Sequence, residues 1–172
     1  PQYHLDITGT ERVNGARIFG DNSAQVTAQS VLDYGTFGQN WTTVSGLSTS
    51  ANWQTVAVSA SGQYMTAGGN IGTMYYSSNY GQTWNSIALT GNMTSIAMSS
   101  SGQYQIASTY GSNGIYYSSN FGASWTASNA PTPQWFQVCM SASGQFASAC
   151  NATSTNVTYY STNYGVTWTA SA

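Results

Sequence analysis

Of the chain's 172 residues, enough for one domain with its own core, only 3% are charged, against about 25% in an ordinary soluble domain. Asp6, Glu11, Arg12, Arg17, Asp21 and Asp33 all precede Tyr34, as does the single histidine, His4, and the net charge is −2. Two Arg and no Lys exclude nucleic-acid binding by counterion release and a basic membrane-surface role, and Tyr34 to Ala172 cannot supply a carboxylate pair, a histidine base or a Ser-His-Asp relay.

The chain opens on Pro1 rather than Met, so the expectation is either a removed targeting segment or an internal start. No run of 18 apolar residues exists, which excludes a membrane-inserted helix. Residues 1–33 differ in kind from the rest. Apolar residues alternate at Tyr3, Leu5 and Ile7 and recur at Val13, Ile18 and Val26, broken by Gly9, Gly15 and Gly20. The Leu-Asp-Ile-Thr-Gly segment at Leu5–Gly9 resembles an entry segment of viral and phage fibre proteins. Extended, about 30 residues reach on the order of 100 Å, which suits an N-terminal arm that adds a strand to another subunit. The other reading is that the arm supplies missing strands to its own chain.

From residue 34 onward the chain repeats itself. Trp53 to Trp84, Met93 to Trp125 and Trp135 to Trp168 align almost without gaps, and TFGQNW at Thr36–Trp41 is a degenerate copy of their ending. The closing tryptophans Trp41, Trp84, Trp125 and Trp168 are 43, 41 and 43 residues apart. That period, filled with β-type segments, is the spacing of propeller blades. Gly, Ser and Asn are abundant, yet 14% aromatics and six Trp argue for packed β structure.

Each repeat reads as four short strands, a to d. Strand a is Val56–Ser59, Ile96–Ser99 and Val138–Ser141, and it is expected to be buried on both faces, with Val56 and Val58 on one and Ala57 on the other. A Ser-Gly turn follows at Ser61-Gly62, Ser101-Gly102 and Ser143-Gly144. Strand b begins at Tyr64, Tyr104 or Phe146. Strand c carries Tyr75-Tyr76, Tyr116-Tyr117 and Tyr159-Tyr160, and strand d carries the Trp.

The turn between c and d has a signature of its own. SSNYGQTW (Ser77–Trp84), SSNFGASW (Ser118–Trp125) and STNYGVTW (Ser161–Trp168) resemble the Asp-box, or BNR, repeat of sialidase-like β-propellers, Ser-x-Asp-x-Gly-x-Thr-Trp. The resemblance covers about four-fifths of the chain at blade spacing. It implies structural roles for Ser77, Asn79, Gly81, Thr83 and Trp84, for Ser118, Asn120, Gly122 and Trp125, and for Ser161, Asn163, Gly165, Thr167 and Trp168. The Asp place holds Asn in all three, and Asn can still close the turn through its side-chain oxygen. In that family the box is architectural and lies away from the catalytic face. Sialidase activity is excluded by counting, because the family's site needs three arginines, a Tyr/Glu nucleophile pair and an Asp acid. A glycosidase pair of carboxylates is equally missing from the repeats.

The expected fold is therefore all-β, a propeller-like stack of about three four-stranded blades over residues 34–172, preceded by the arm at 1–33. A closed propeller needs about four to eight blades, so three leave open ends. Open ends and strand edges invite pairing, and the usual Lys, Glu or Pro gatekeepers are missing.

Cys139 and Cys150 flank the Ser143-Gly144 turn. Their equivalents, Ala57 and Gly68, Ala97 and Ser108, are small in every repeat, so the pair is expected to face at close range and form a disulfide in an oxidising setting. Two free thiols are the alternative. With no histidine or further cysteine nearby, zinc is excluded and no cofactor is expected. Sequons stand at Asn40, Asn92, Asn151 and Asn156, the last three in expected loops, where attached glycan would fit.

These readings point to a non-enzymatic extracellular structural protein, a fibre, filament or virion-appendage subunit that partners copies of itself. The alternative is a lectin-like module binding neutral glycans through exposed members of Tyr75, Tyr116, Tyr159 and Trp135.

Overall fold

A computed structural model describes residues 12–13, 16–18, 24–25, 43–48, 51–70, 72–89, 91–111, 114–131, 134–151 and 157–171. The chain divides into two compact units, Pro1–Thr43 and Val44–Ala172. In the first, β1 (Arg12–Val13), β2 (Ala16–Ile18) and β3 (Ala24–Gln25) pair antiparallel in chain order, with Arg12 opposite Arg17 and Ile18 opposite Ala24. The segment expected as an extended arm thus contains a short meander. The Thr36–Trp41 ending lies outside the described residues.

The second unit contains three four-stranded antiparallel sheets, each a meander in chain order. Blade 1 is β4 (Trp53–Val58), β5 (Met65–Gly69), β6 (Thr73–Ser77) and β7 (Asn85–Ala88). Blade 2 is β8 (Asn92–Met98), β9 (Gln105–Tyr110), β10 (Ile115–Ser118) and β11 (Thr126–Ala127). Blade 3 is β12 (Trp135–Met140), β13 (Ala147–Asn151), β14 (Thr158–Ser161) and β15 (Thr169–Ala170). Among the described residues every regular element is a strand, and no helix is long and apolar enough to cross a membrane.

Strand boundaries shift slightly from expectation, each for a local reason. The second strand starts one residue after Tyr64, Tyr104 and Phe146, because the backbone N–H of each of those residues is taken by a turn serine, Ser59, Ser99 or Ser141, at 3.1 Å. The fourth strand starts after the Trp, whose indole N–H is turned back into the c–d turn. The first strand is longer at its beginning and carries a bulge, at Trp53/Thr55, Met93/Ser95 and Trp135/Gln137. In a regular strand residues i and i+3 point to opposite faces. The extra residue brings Met93 and Ile96 into one cluster and Trp135 and Val138 into another.

Those two clusters are the core, and each lies between neighbouring blades. Met74, Met93, Ile96 and Ala107, with Ala57, Ile87, Leu89 and Trp125 against them, join blades 1 and 2. Ile106, Ile115, Trp135, Val138, Ala149 and Trp168, with Ala97, Met140 and Tyr159 against them, join blades 2 and 3. Fully burying a side chain such as Ile96 is worth about 1.5–3 kcal/mol. One expectation fails here. Val56 and Val58, the blade 1 counterparts of Ile96 and Met98, are 68% and 57% exposed. Among the described residues of the second unit nothing covers the leading face of blade 1.

Close approach between blades is set by glycine at the a–b turns. Gly102 (φ +80) and Gly144 (φ +81) leave a would-be Cβ only 2.7 Å from Tyr64 and 2.8 Å from Tyr104, whereas beside Gly62 (φ +77) the nearest atom is 3.9 Å away. All three pay the left-handed cost in an alanine variant, about 1–2 kcal/mol. Only the first two add a clash, of about 1–3 kcal/mol. Urea unfolding should therefore show Gly102→Ala and Gly144→Ala destabilised by about 2–5 kcal/mol, roughly twice the loss in Gly62→Ala or more.

Candidate functional site

The three c–d turns are built by one hydrogen-bond scheme. In blade 1 the Ser77 hydroxyl donates to Asn79 Oδ1 (3.0 Å) and accepts from the backbone N–H groups of Asn79 (3.3 Å) and Gly81 (3.0 Å). That uses its one proton and both lone pairs. Asn79 Oδ1 also accepts from Thr83 N–H at 3.0 Å, and its amide donates to the Thr83 hydroxyl at 2.9 Å. Trp84 Nε1 donates to the Gly81 carbonyl at 3.0 Å. Ser118, Asn120, Gly122, Ser124 and Trp125 repeat this in blade 2. Ser161, Asn163, Gly165, Thr167 and Trp168 repeat it in blade 3, except that the Thr167 hydroxyl now donates to Asn163 Oδ1 at 3.1 Å. The residue before each glycine, Tyr80, Phe121 or Tyr164, sits at φ 60–63°. Its N–H is pinned by the carbonyl of Gln63, Gln103 or Gln145 in the a–b turn of its own blade.

These turns hold no carboxylate, amine, imidazole or thiol side chain. The seryl and threonyl hydroxyls have Asn as their partner, so no base is present to activate one as a nucleophile. Among the described residues no cluster of three or more His, Cys, Asp or Glu could hold a metal ion.

Aromatic contacts between blades, unnoticed in the sequence, tie the turns together. Tyr64 of blade 1 stacks on Phe121 of blade 2 with centroids 4.3 Å apart, and Tyr104 of blade 2 meets Tyr164 of blade 3 at 4.2 Å. The signal was legible as an aromatic two residues after each Ser-Gly and another before each box glycine. A buried amide adds to the first junction. Gln105 Oε1 accepts from the Thr66 hydroxyl at 2.7 Å, and its amide donates to the Gly102 carbonyl.

Of the aromatic platform candidates, Trp135 is fully buried, edge-on to Tyr159 and beside Trp168, with its indole N–H on the Pro131 carbonyl. It offers no face to a sugar. Tyr75, Tyr116 and Tyr159 are half-buried, and Tyr75 is edge-on to Trp53.

The expected disulfide is not formed, since Cys139 and Cys150 are free thiols. The register puts Ser148 opposite Cys139 and Gln137 opposite Cys150, which makes the cysteines diagonal neighbours. Diagonal positions lie about 7–8 Å apart, beyond the usual Cα separation for a bridge. Cys139 Sγ instead lies 3.0 Å from the Ser148 hydroxyl. Together with Gln137, Val138, Ala149 and Thr158 these residues line an open groove of ≈ 250 Å³ on the trailing face of blade 3. Two sequons also fall differently from expectation. Asn92 is the first residue of β8 and exposed, and Asn151 is the last of β13, so both are strand ends rather than loops. Asn40 and Asn156 lie outside the described residues.

No protein-family model and no curated protein matches the chain. Solved structures with a β-propeller fold do. The chain is similar to a GH74 enzyme of Niastella koreensis at 29% identity, covering 70% of this chain and 18% of that one, with a TM-score of 0.57. It is similar to YCF48 from Cyanidioschyzon merolae at 16% identity, with 72% and 38% covered and a TM-score of 0.57. The β-propeller domain of Myceliophteria thermophila Cps50 (Swd1) matches at 13% identity, with 70% and 39% covered and a TM-score of 0.53. The chain thus spans 18% to 39% of the length of these proteins. Its second unit is an all-β stack of propeller-type blades that does not close on itself.

Two outcomes follow from this geometry. Asn120→Ala leaves Ser118 and Ser124 without their acceptor and should lower stability by about 1–2 kcal/mol in urea unfolding. Asn120→Asp should stay within about 0.5 kcal/mol of the parent, because a carboxylate accepts the same bonds and the Ser124 hydroxyl can turn to donate, as Thr167 does. For the thiols, a maleimide probe added to unreduced protein unfolded in urea should modify both Cys139 and Cys150. An unreactive pair would contradict the free-thiol assignment.

Proposed function

We propose that the c–d turns are Asp-box turns with Asn in the Asp place, and that the chain is a non-enzymatic, extracellular structural subunit. It assembles with copies of itself into a fibre, filament or virion appendage through its open blade ends and N-terminal strand exchange. The observation that carries this reading is the pair of uncovered end faces, above all Val56 and Val58 standing 68% and 57% exposed where their counterparts in blades 2 and 3 are buried or half-buried in a junction. An apolar sheet face of this kind marks an interaction surface.

The chemistry of the repeats supports the non-enzymatic part. From Tyr34 to Ala172 no Asp, Glu, Lys, Arg or His exists to act as acid, base or ligand. The same composition leaves little repulsion to keep copies apart. Exposed Asn92 is the described sequon best placed to carry glycan. The lectin-like alternative loses its strongest platform with Trp135 buried.

Negative-stain microscopy of the native protein, beside light-scattering mass on the same sample, tests the reading. Filaments or defined multiples of 18.2 kDa are expected, with the assemblies weakened or abolished by deleting residues 1–33. A monodisperse 18.2 kDa particle at all concentrations would overturn it.

A further inference from the structure

The same blade-to-blade contact occurs twice within this chain, and its two halves are unlike. The following blade contributes an apolar ridge from its first strand, Met93 and Ile96 in blade 2, Trp135 and Val138 in blade 3. The preceding blade contributes a floor of four residues at fixed register positions. In blade 1 these are Ala57 opposite Thr66 and Thr55 opposite Gly68, where an added Cβ on Gly68 would come within 2.9 Å of Met93. In blade 2 they are Ala97 opposite Ile106 and Ser95 opposite Ser108. Blade 3 has its own copy of the floor, Cys139 opposite Ser148 and Gln137 opposite Cys150, and that is the open groove. Blade 1 has its own copy of the ridge, Trp53 and Val56, which are 40% and 68% exposed.

The aromatic series shows the same incompleteness at the same two ends. Tyr64 stacks on Phe121 and Tyr104 on Tyr164. Left over are Phe146 of blade 3, in the place of Tyr64 and Tyr104, and Tyr80 of blade 1, in the place of Phe121 and Tyr164. They are 52% and 60% exposed. Glycine repeats the pattern. Gly102 is covered by Tyr64 and Gly144 by Tyr104, while Gly62 has no ring from a preceding blade upon it. The a–b turns are chained by backbone bonds as well, Ala60 N–H to Ser100 O and Ser100 N–H to Ala142 O, each 2.9 Å, which makes Ala142 the next donor in the series.

We infer that blade 3 of one copy receives blade 1 of a second copy in this internal geometry. Trp53 and Val56 seat over Cys139 and Cys150, and Phe146 stacks on Tyr80 of the second copy. The inference rests on the self-assembly reading and names its interface. The occupant is a second copy because the chain itself carries both halves of the contact, uncharged on either side and already joined twice within the second unit. Such a contact is heterologous, so copies close into a ring where the rotation permits and otherwise propagate as a filament.

Two full-length variants test it, Val56→Asp and Cys139→Asp. Each puts a charge on one end face at a side chain already exposed, and unchanged unfolding midpoints confirm that both fold. Light scattering should find each variant alone at 18.2 kDa and their equimolar mixture at twice that mass, since every pairing of an intact blade 3 with an intact blade 1 remains available only across the two variants. Phe146→Ser should weaken association of the otherwise unaltered chain by about threefold to tenfold. If the parent assembles but the two variants assemble just as well, or their mixture stays monomeric, this interface is wrong while self-assembly stands. A monomeric parent overturns both.

Discussion

The covering of each sheet face by the next blade is the constraint on which this structure depends. A meander of four short strands has two faces, and in blade 2 a neighbouring blade packs on each. The bulge in the first strand serves this packing by gathering two large side chains, Met93 with Ile96 or Trp135 with Val138, into one ridge against the preceding blade. Because ridge and floor are different surfaces, the stack has a direction. Within the second unit the described blades begin on a ridge and finish on a floor.

The second constraint is that all polar links in the repeats are neutral. Serine, threonine, asparagine and glutamine do the work that ion pairs do elsewhere. Ser77, Ser118 and Ser161 each organise a turn through three bonds. Gln105 and Thr66 bond across a junction in full burial. Such networks are insensitive to ionic strength, since there is no charge to screen. With no carboxylate, amine or imidazole side chain after Asp33, the repeats also lack the usual groups through which folding couples to acid.

Much of this was legible in the sequence. The tryptophan period gave the number of blades, the Ser-Gly pairs placed the first turn, and the paired tyrosines fell in the third strand of each sheet as expected. What escaped depended on register or on neighbours. Two residues of slip decide whether Cys139 faces Cys150 or Ser148, and small equivalents in other repeats do not fix it. Val56 looks like a core residue in isolation, because alternation reports which face a side chain takes and not whether another sheet lies over that face. Trp135 read as a possible sugar platform until the bulge turned it inward. The aromatic stacks escaped because each joins residues from two different repeats.

The sequential meander also sets how this protein comes apart. Each blade is made from one continuous stretch of chain, so its strands find partners locally and the blades behave as linked units along a line. Among the described residues of the second unit, blade 2 is covered by a blade on both faces, whereas blades 1 and 3 are each covered by one on a single face. Backbone amides in β8 and β9 are therefore the last to exchange with solvent, and the terminal blades fray first. The surfaces assigned to association belong to those fraying blades. Association would then protect the amides that monomers expose most often.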